Sequence, residues 1–324
     1  MKKKFFIGVA ISGLFLYLAL RGTDWAEFAD AFRDANYWWL IPGVVFTMLG
    51  HYSRAWRWKS IVRPIKPIRI GPLWSATAIA FMANNLFPAR LGEFVRAWAL
   101  GRSENVSKSA VFATIVFERV VDVFVLIVLL WVCLLSIKGP EWLPRSAAII
   151  IAFNVVLLLI LFMMVRRKER FRRVVETITR PLPEKPRERV VWAADAFVDG
   201  LGVITNVRAA VPISFGSVAV WGFATLGVWA CLPALHMDLP PMASVLLIVI
   251  ISLGSMIPSA PAFLGTMQYA CVVGLEFYGV DRSTALAYAI VYHATQFFPI
   301  TIAGLYYAAR SSIRLSEISR RKDA

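Results

Sequence analysis

Six ionisable side chains stand among residues that are almost wholly apolar. Arg90, Glu93 and Arg96 recur at i, i+3 and i+6, and Glu118 and Asp122 lie four apart with Arg119 between them. On a helix these spacings keep neighbours on roughly one face. A charge at bilayer depth costs about 2.5–3.5 kcal/mol even on the gentler insertion scales, so such residues are functional candidates first. Paired guanidinium groups suit a phosphate, and paired carboxylates an amine or a proton. The first trio carries one net positive charge and the second one net negative charge, so an ion-pair lattice that pins the hairpin to the next helix is the alternative to the functional reading. Asn84 and Asn85, just upstream, can cap a broken backbone or meet a ligand. Cys133, Cys231 and Cys271 each lie inside an apolar run, and His51, His236 and His293 are scattered. We therefore expect no catalytic residues, no metal site and no cofactor.

The elements that hold these residues follow from composition. Of 324 residues, 59% are apolar and 17% charged, and the mean hydropathy is +0.65. A soluble domain carries about 45–50% apolar and about 25% charged residues. The long apolar runs predict an all-α polytopic membrane helix bundle and exclude a soluble enzyme, a disordered tail and a secreted disulfide scaffold. Six full spans are expected: Phe5–Leu20, Tyr37–Arg54, Ser109–Ile137, Ser146–Val165, Ile213–Leu235 and Thr284–Ala309. Two further stretches, Leu73–Leu100 and Met242–Tyr278, are interrupted by proline and glycine: Pro88 and Gly92 in one, Pro258, Pro261 and Gly265 in the other. The chain should turn back at those breaks, making two re-entrant helical hairpins.

The net charge of +15 reflects sidedness and not an affinity for nucleic acid. With both termini inside, 27 Lys and Arg fall on the cytoplasmic side, counting Arg54 and Arg57, against five outside. Arg90, Arg96 and Arg119 remain within the membrane segments. The expected topology is therefore a multi-pass membrane protein with both termini on the cytoplasmic side. Trp38, Trp39, Trp56 and Trp58 read as aromatic belts at the two ends of the second span. The polar insert 166–211 should be cytoplasmic. Its second half, Arg187 to Val207, has apolar residues at helical spacing and predicts a helix on the anionic inner leaflet, while its first half reads equally as a solvated loop.

The whole chain, 1–324, is expected to be one membrane domain with an internal repeat. Pro88-Ala89-Arg90-Leu91-Gly92 matches Pro261-Ala262-Phe263-Leu264-Gly265, and each hairpin is preceded and followed by one span. The units, 37–137 and 213–309, would enter the membrane from opposite sides. Inverted repeats with helices broken at matching places point to a transport site near the midplane. In the second unit Gln268, Tyr292, His293 and Gln296 stand where the first has charges, forming a neutral side of the pathway.

These residues carry a family resemblance. Arg54-Ala55-Trp56-Arg57-Trp58, the stretch from Asn84 to Arg96, Phe117-Glu118-Arg119-Val120-Val121-Asp122 and the Pro261–Gly265 stretch resemble the lysylphosphatidylglycerol synthase transmembrane-domain family, also called flippase-like or UPF0104 proteins. The resemblance covers nearly the whole chain. It implies a multi-pass bacterial or archaeal cytoplasmic-membrane protein that moves lipids or lipid-linked molecules between leaflets. Relatives that aminoacylate phosphatidylglycerol carry a soluble synthase domain after the membrane part; since this chain ends at Ala324, that activity is not expected here.

The leading expectation is a lipid flippase or transporter that takes an anionic or zwitterionic headgroup into a polar cavity between the repeats. Membrane lipids are its expected partners, and a homo-oligomer is compatible with the sequence. No GxxxxGK[ST] motif is present, so transport would be passive or gradient-driven. A channel built from paired half-helices and a membrane-embedded lipid-modifying transferase are the alternatives. Against them stand the charges at Glu93 and Asp122 and the lack of a nucleophile–base pair.

Overall fold

Prolines and short polar caps set where the helices begin. Pro72 and Pro241 occupy first turns, where a backbone N–H has no helical partner to lose. Asp24, Asn206 and Asp281 cap three other helices by accepting from backbone N–H groups of the first turn. The computed structural model describes residues 2–87, 91–136, 142–257 and 259–311. Among the described residues it holds thirteen α-helices and no strand. Val207–Leu235 and Arg282–Arg310 are two stretches long and apolar enough to cross a membrane.

In chain order the helices are α1 (Lys2–Leu20), α2 (Trp25–Arg33), α3 (Leu40–Val62), α4 (Ile70–Leu86), α5 (Gly92–Ser103), α6 (Lys108–Ser136), α7 (Trp142–Arg166), α8 (Lys168–Ile178), α9 (Glu184–Gly200), α10 (Val207–Cys231), α11 (Pro241–Met256), α12 (Thr266–Glu276) and α13 (Arg282–Arg310). Each apolar run of the sequence becomes a helix, and both broken runs become helical pairs, α4–α5 and α11–α12. At 1.5 Å per residue, α5 and α12 reach only about 18 and 17 Å, well short of a hydrocarbon core of roughly 30 Å. Pro88, Arg90 and Pro258, three of the residues singled out at the breaks, lie outside the described residues.

Two apolar cores form. One joins α3 to α6 through Trp58, Leu73, Met82, Leu100 and Ile115. The other joins α10 to α13 through Val228, Leu247, Cys271, Leu286 and Tyr288, with Leu126 and Leu130 of α6 added. The two quartets meet most extensively along α3 and α10, where small residues let the backbones close up. A methyl group on Gly50 would touch the Val220 carbonyl, and one on Gly216 would collide with Arg57 Cβ at 2.7 Å. The leading helix of each hairpin also packs on the last helix of the other quartet: α4 on α13, and α11 on α6.

Two of the differences from the sequence reading are helix boundaries, and a third is the packing of the insert. Helix α3 runs on past Arg54 to Val62, because Arg54 and Arg57 find buried partners and do not end the span. Helix α10 starts at Val207, ahead of Ile213, with Pro212 accommodated near its beginning. In the insert, α9 packs on α6: the Ser109 hydroxyl donates to the Ala193 carbonyl at 2.6 Å, and Gly200 lies against the Ala110 backbone. The strongly two-faced helix of this segment is α8, in the half for which a solvated loop was an equally good reading.

Candidate functional site

Where the quartets face each other, they enclose a cavity of about 320 Å³. Both supply its walls. Helices α3, α4, α5 and α6 contribute His51, Arg54, Asn84, Asn85, Glu93, Arg96, Arg119 and Asp122. Helices α10, α11 and α13 and the turn before α12 contribute Trp221, Ser252, Ser255, Phe263, Tyr292, His293 and Gln296.

The charged wall is built in layers. Glu118, fully buried on α6, accepts both of its contacts with Arg96 Nη1 at 3.0 Å and lies 2.8 Å from Arg119 Nη2. Arg57 Nη2 stands 3.3 Å and Arg54 Nη1 3.5 Å from the same carboxylate. One turn on, Asp122 meets Arg54 at 2.7 Å, Arg57 at 2.8 Å and Arg119 at 3.1 Å. The Arg96 guanidinium lies 3.8 Å from the centroid of the Trp58 ring, whose Nε1 donates to the Thr114 hydroxyl at 2.9 Å. Arg57 donates to Ser217 of α10 and so ties this wall to the second quartet. Four helices are therefore held by one electrostatic knot whose members are buried together, where attraction is least screened.

The knot has more donors than acceptors. Each guanidinium carries five N–H groups and each carboxylate about four acceptor sites, so four arginines oversupply two acids by more than twofold. Nε and Nη2 of both Arg57 and Arg96, and Nε of Arg119, have no hydrogen-bond partner although they are buried. Arg54, Arg96 and Arg119 all line the cavity, and Arg119, whose side chain is 41% exposed, is the most accessible of them, whereas Arg57 and Arg96 are almost completely buried.

The opposite wall is neutral, with hydrogen bonds inside it and one that crosses to α3. Gln268 Oε1 accepts from the Gly265 backbone at 2.7 Å, and its amide lies 2.7 Å from His293 Nδ1. Gln296 donates to Thr47 of α3 at 2.5 Å, and the Tyr288 and Tyr292 rings stack at 5.8 Å. The turn ahead of α12 is strained: Ala262 and Phe263 have φ of 58° and 59°, and Gly265 has φ of 84°. Only glycine takes such angles freely, and a methyl group at Gly265 would meet the Ser12 carbonyl of α1 at 2.3 Å.

The residues singled out in the sequence are placed as follows. Asn84, Asn85, Glu93, Arg96, Arg119 and Asp122 reach the cavity, as do Tyr292, His293 and Gln296. Glu118 lies behind the wall and Gln268 behind the opposite one. Asn84 caps the returning helix by accepting from Gly92 N at 2.7 Å, and Asn85 donates to Thr301 of α13 at 2.8 Å. Gly92 fits against the Ala80 carbonyl and the Asn84 side chain, where a methyl group has no room. Arg90 lies outside the described residues. Arg54 and Arg57, counted in the sequence as cytoplasmic charges, belong to the knot, and among the described residues four arginines now stand against Glu93, Glu118 and Asp122, an excess of one positive charge. Trp58, read as an interfacial aromatic, is fully buried beneath Arg96. The i, i+3 spacing of Arg54 and Arg57 was the available signal. Among the described residues no group of three His, Cys, Asp or Glu is positioned to hold a metal ion.

Residues 5–304 match the family model described as the lysylphosphatidylglycerol synthase transmembrane region. A UPF0104 membrane protein of Methanocaldococcus jannaschii is 27% identical over 71% of this chain and 95% of its own length. A UPF0104 membrane protein of Methanothermobacter thermautotrophicus is 25% identical over 90% of this chain and 92% of its own. The glycosyltransferase AglD of Haloferax volcanii is 24% identical over 92% of this chain but 52% of its own. No solved structure matches the chain significantly.

Proposed function

The chain belongs to the lysylphosphatidylglycerol synthase transmembrane-region family, and on that premise we propose that it moves a lipid with an anionic headgroup, a phospholipid or a lipid-linked phosphate, between the leaflets of a cytoplasmic membrane. The observation that carries this reading is the excess of guanidinium over carboxylate in a wall of the shared cavity. Arg119, with Arg54 beside it, faces the headgroup; Arg96, Arg57, Glu118 and Asp122 hold those two in place. The neutral wall of His293, Gln296 and Tyr292 supplies hydrogen bonds to the headgroup without competing for its charge. The acyl chains stay in the bilayer.

Both termini lie inside, and the quartets α3–α6 and α10–α13 are inverted repeats. Their packing supports this pairing. If α3, α4, α5 and α6 are exchanged for α10, α11, α12 and α13, the packing of α4 on α13 becomes that of α11 on α6, and the α3–α10 contact maps onto itself. Such a pairing is what alternating access requires, since the hairpins can open in turn around a fixed site. The AglD match covers 52% of that protein, so its transferase name says nothing about this chain; a sugar-bearing lipid is one cargo the neutral wall would suit.

Purified protein in phosphatidylcholine liposomes, supplied with trace labelled lipids of different headgroups, tests the proposal. Labelled phosphatidylglycerol should become accessible from the other leaflet faster than in protein-free vesicles, and a lysyl-bearing cationic lipid should lag behind it. Equal rates with and without protein would refute transport, water or glycerol flux would favour a channel, and a covalently altered lipid would favour an enzyme.

A further inference from the structure

Helix α8 carries two kinds of cation, and they point different ways. Lys168 and Arg172 are paired: Lys168 with Asp199 of α9 at 2.5 Å, and Arg172 with Asp195 of α9 at 3.7 Å and with Glu176 one turn along α8 at 3.0 Å. Arg167, at the α7–α8 bend, and Arg170 have no carboxylate within ion-pair distance among the described residues. With Phe171 and Val174 they fall at i, i+3, i+4 and i+7, one face of the helix. That face looks onto the outer surface of α7, and between them runs a groove of about 360 Å³, its floor made by Val156, Leu159, Ile160 and Met163. The floor is apolar, and its only charged lining residues are the two arginines. Helix α8 touches only α9 and the end of α7 extensively, so nothing in the bundle fills the groove.

We propose that this groove is a second lipid site, distinct from the central cavity, which holds one anionic glycerophospholipid of the surrounding cytoplasmic leaflet. One acyl chain lies along α7 against Leu159, Ile160 and Met163, and the phosphate sits between Arg167 and Arg170. The charge complementarity selects the occupant: an apolar trough that ends in two unpaired guanidinium groups at a helix bend has the layout of an anionic lipid, with tail and head at the right ends. A zwitterionic lipid offers the same phosphate but brings an amine toward the same cations. The inference rests on the chain lying in a membrane with its insert on the cytoplasmic side, and it is independent of whether the central cavity transports anything.

Photo-crosslinking with a diazirine-tailed phosphatidylglycerol, on the full chain in phosphatidylcholine nanodiscs, provides the test. Labelled peptides should come from the stretch 156–174, and unlabelled phosphatidylglycerol should suppress the labelling where phosphatidylcholine does not. The double variant Arg167→Gln/Arg170→Gln should need roughly thirtyfold more lipid for the same labelling, as losing two interfacial arginines predicts. The pair Arg167→Lys/Arg170→Lys should retain part of the effect. Met163→Trp, which fills the trough and leaves the charges, should reduce labelling as well, and circular dichroism should match wild type in each case. Labelling of 156–174 that ignores headgroup charge, or survives the double glutamine variant, would overturn the proposal. So would labelling that disappears in Arg119→Gln, because the lipid would then be in the central cavity. Failure of translocation in liposomes with this labelling intact would remove the transport reading and leave this site standing.

Discussion

The two hairpins turn around one cavity but are stabilised by opposite means. The first leans on charge: α5 is held to α6 and α3 by four arginines sharing two carboxylates, all but Arg119 largely buried. The second leans on hydrogen bonds and backbone geometry, with Gln268 bracing Gly265 and His293 while Ala262, Phe263 and Gly265 take left-handed angles. A buried ion cluster is costly to break because every survivor is left uncompensated. A neutral hydrogen-bonded turn is far cheaper to rearrange. If the molecule alternates between two states, the second hairpin is the one whose local structure can give way, and the first is the fixed platform on which the proposed anion would be held.

That contrast can be attacked from the strongest point downward. Glu118→Gln removes the carboxylate on which all four arginines converge, and thermal unfolding in detergent should report a loss of about 3–5 kcal/mol. A near-wild-type melting temperature would mean that the knot is not what holds α5 to α6. Gly265→Ala should cost about 1–3 kcal/mol, since the alanine must keep a glycine-type φ against the Ser12 backbone, and it should slow transport along with stability. Arg119→Gln should lower translocation about tenfold, equivalent to 1.4 kcal/mol, with little change in melting temperature, because its side chain is the exposed one. An equal loss of stability would demote it to another strut of the platform. Gln268→Leu should have the smallest effect, about 1 kcal/mol, from the orphaned Gly265 N–H, and limited proteolysis should find the second hairpin cut faster than the first.

Much of this arrangement could be read from the residues alone. The helix order, the two broken runs and the polar positions around the cavity follow from hydropathy and from proline and glycine placement. Arg54 and Arg57 did not emerge, for a physical reason: a basic residue at the end of an apolar run looks the same whether it faces cytoplasmic water or folds back onto an acid 60-odd positions later. Their spacing and the adjacent Trp58 were the only hints. Which of α8 and α9 packs on the bundle was not legible because both have apolar residues at helical spacing, and the contacts of Ala193 and Gly200 with α6 show that α9 does. The brace by Gln268 is likewise invisible in sequence, since its partners His293 and Gly265 are brought to it by the turn itself.

The central claim is that the cavity between the quartets receives an anionic headgroup at its arginine wall. A cryo-electron microscopy map of the full chain in nanodiscs containing phosphatidylglycerol tests it directly. The account predicts phosphate density within hydrogen-bonding distance of the Arg119 guanidinium, with the rest of the headgroup against His293 and Gln296, and its loss in Arg119→Gln. A cavity holding only water-sized density, with lipids ordered solely on the outer helix faces, would contradict it.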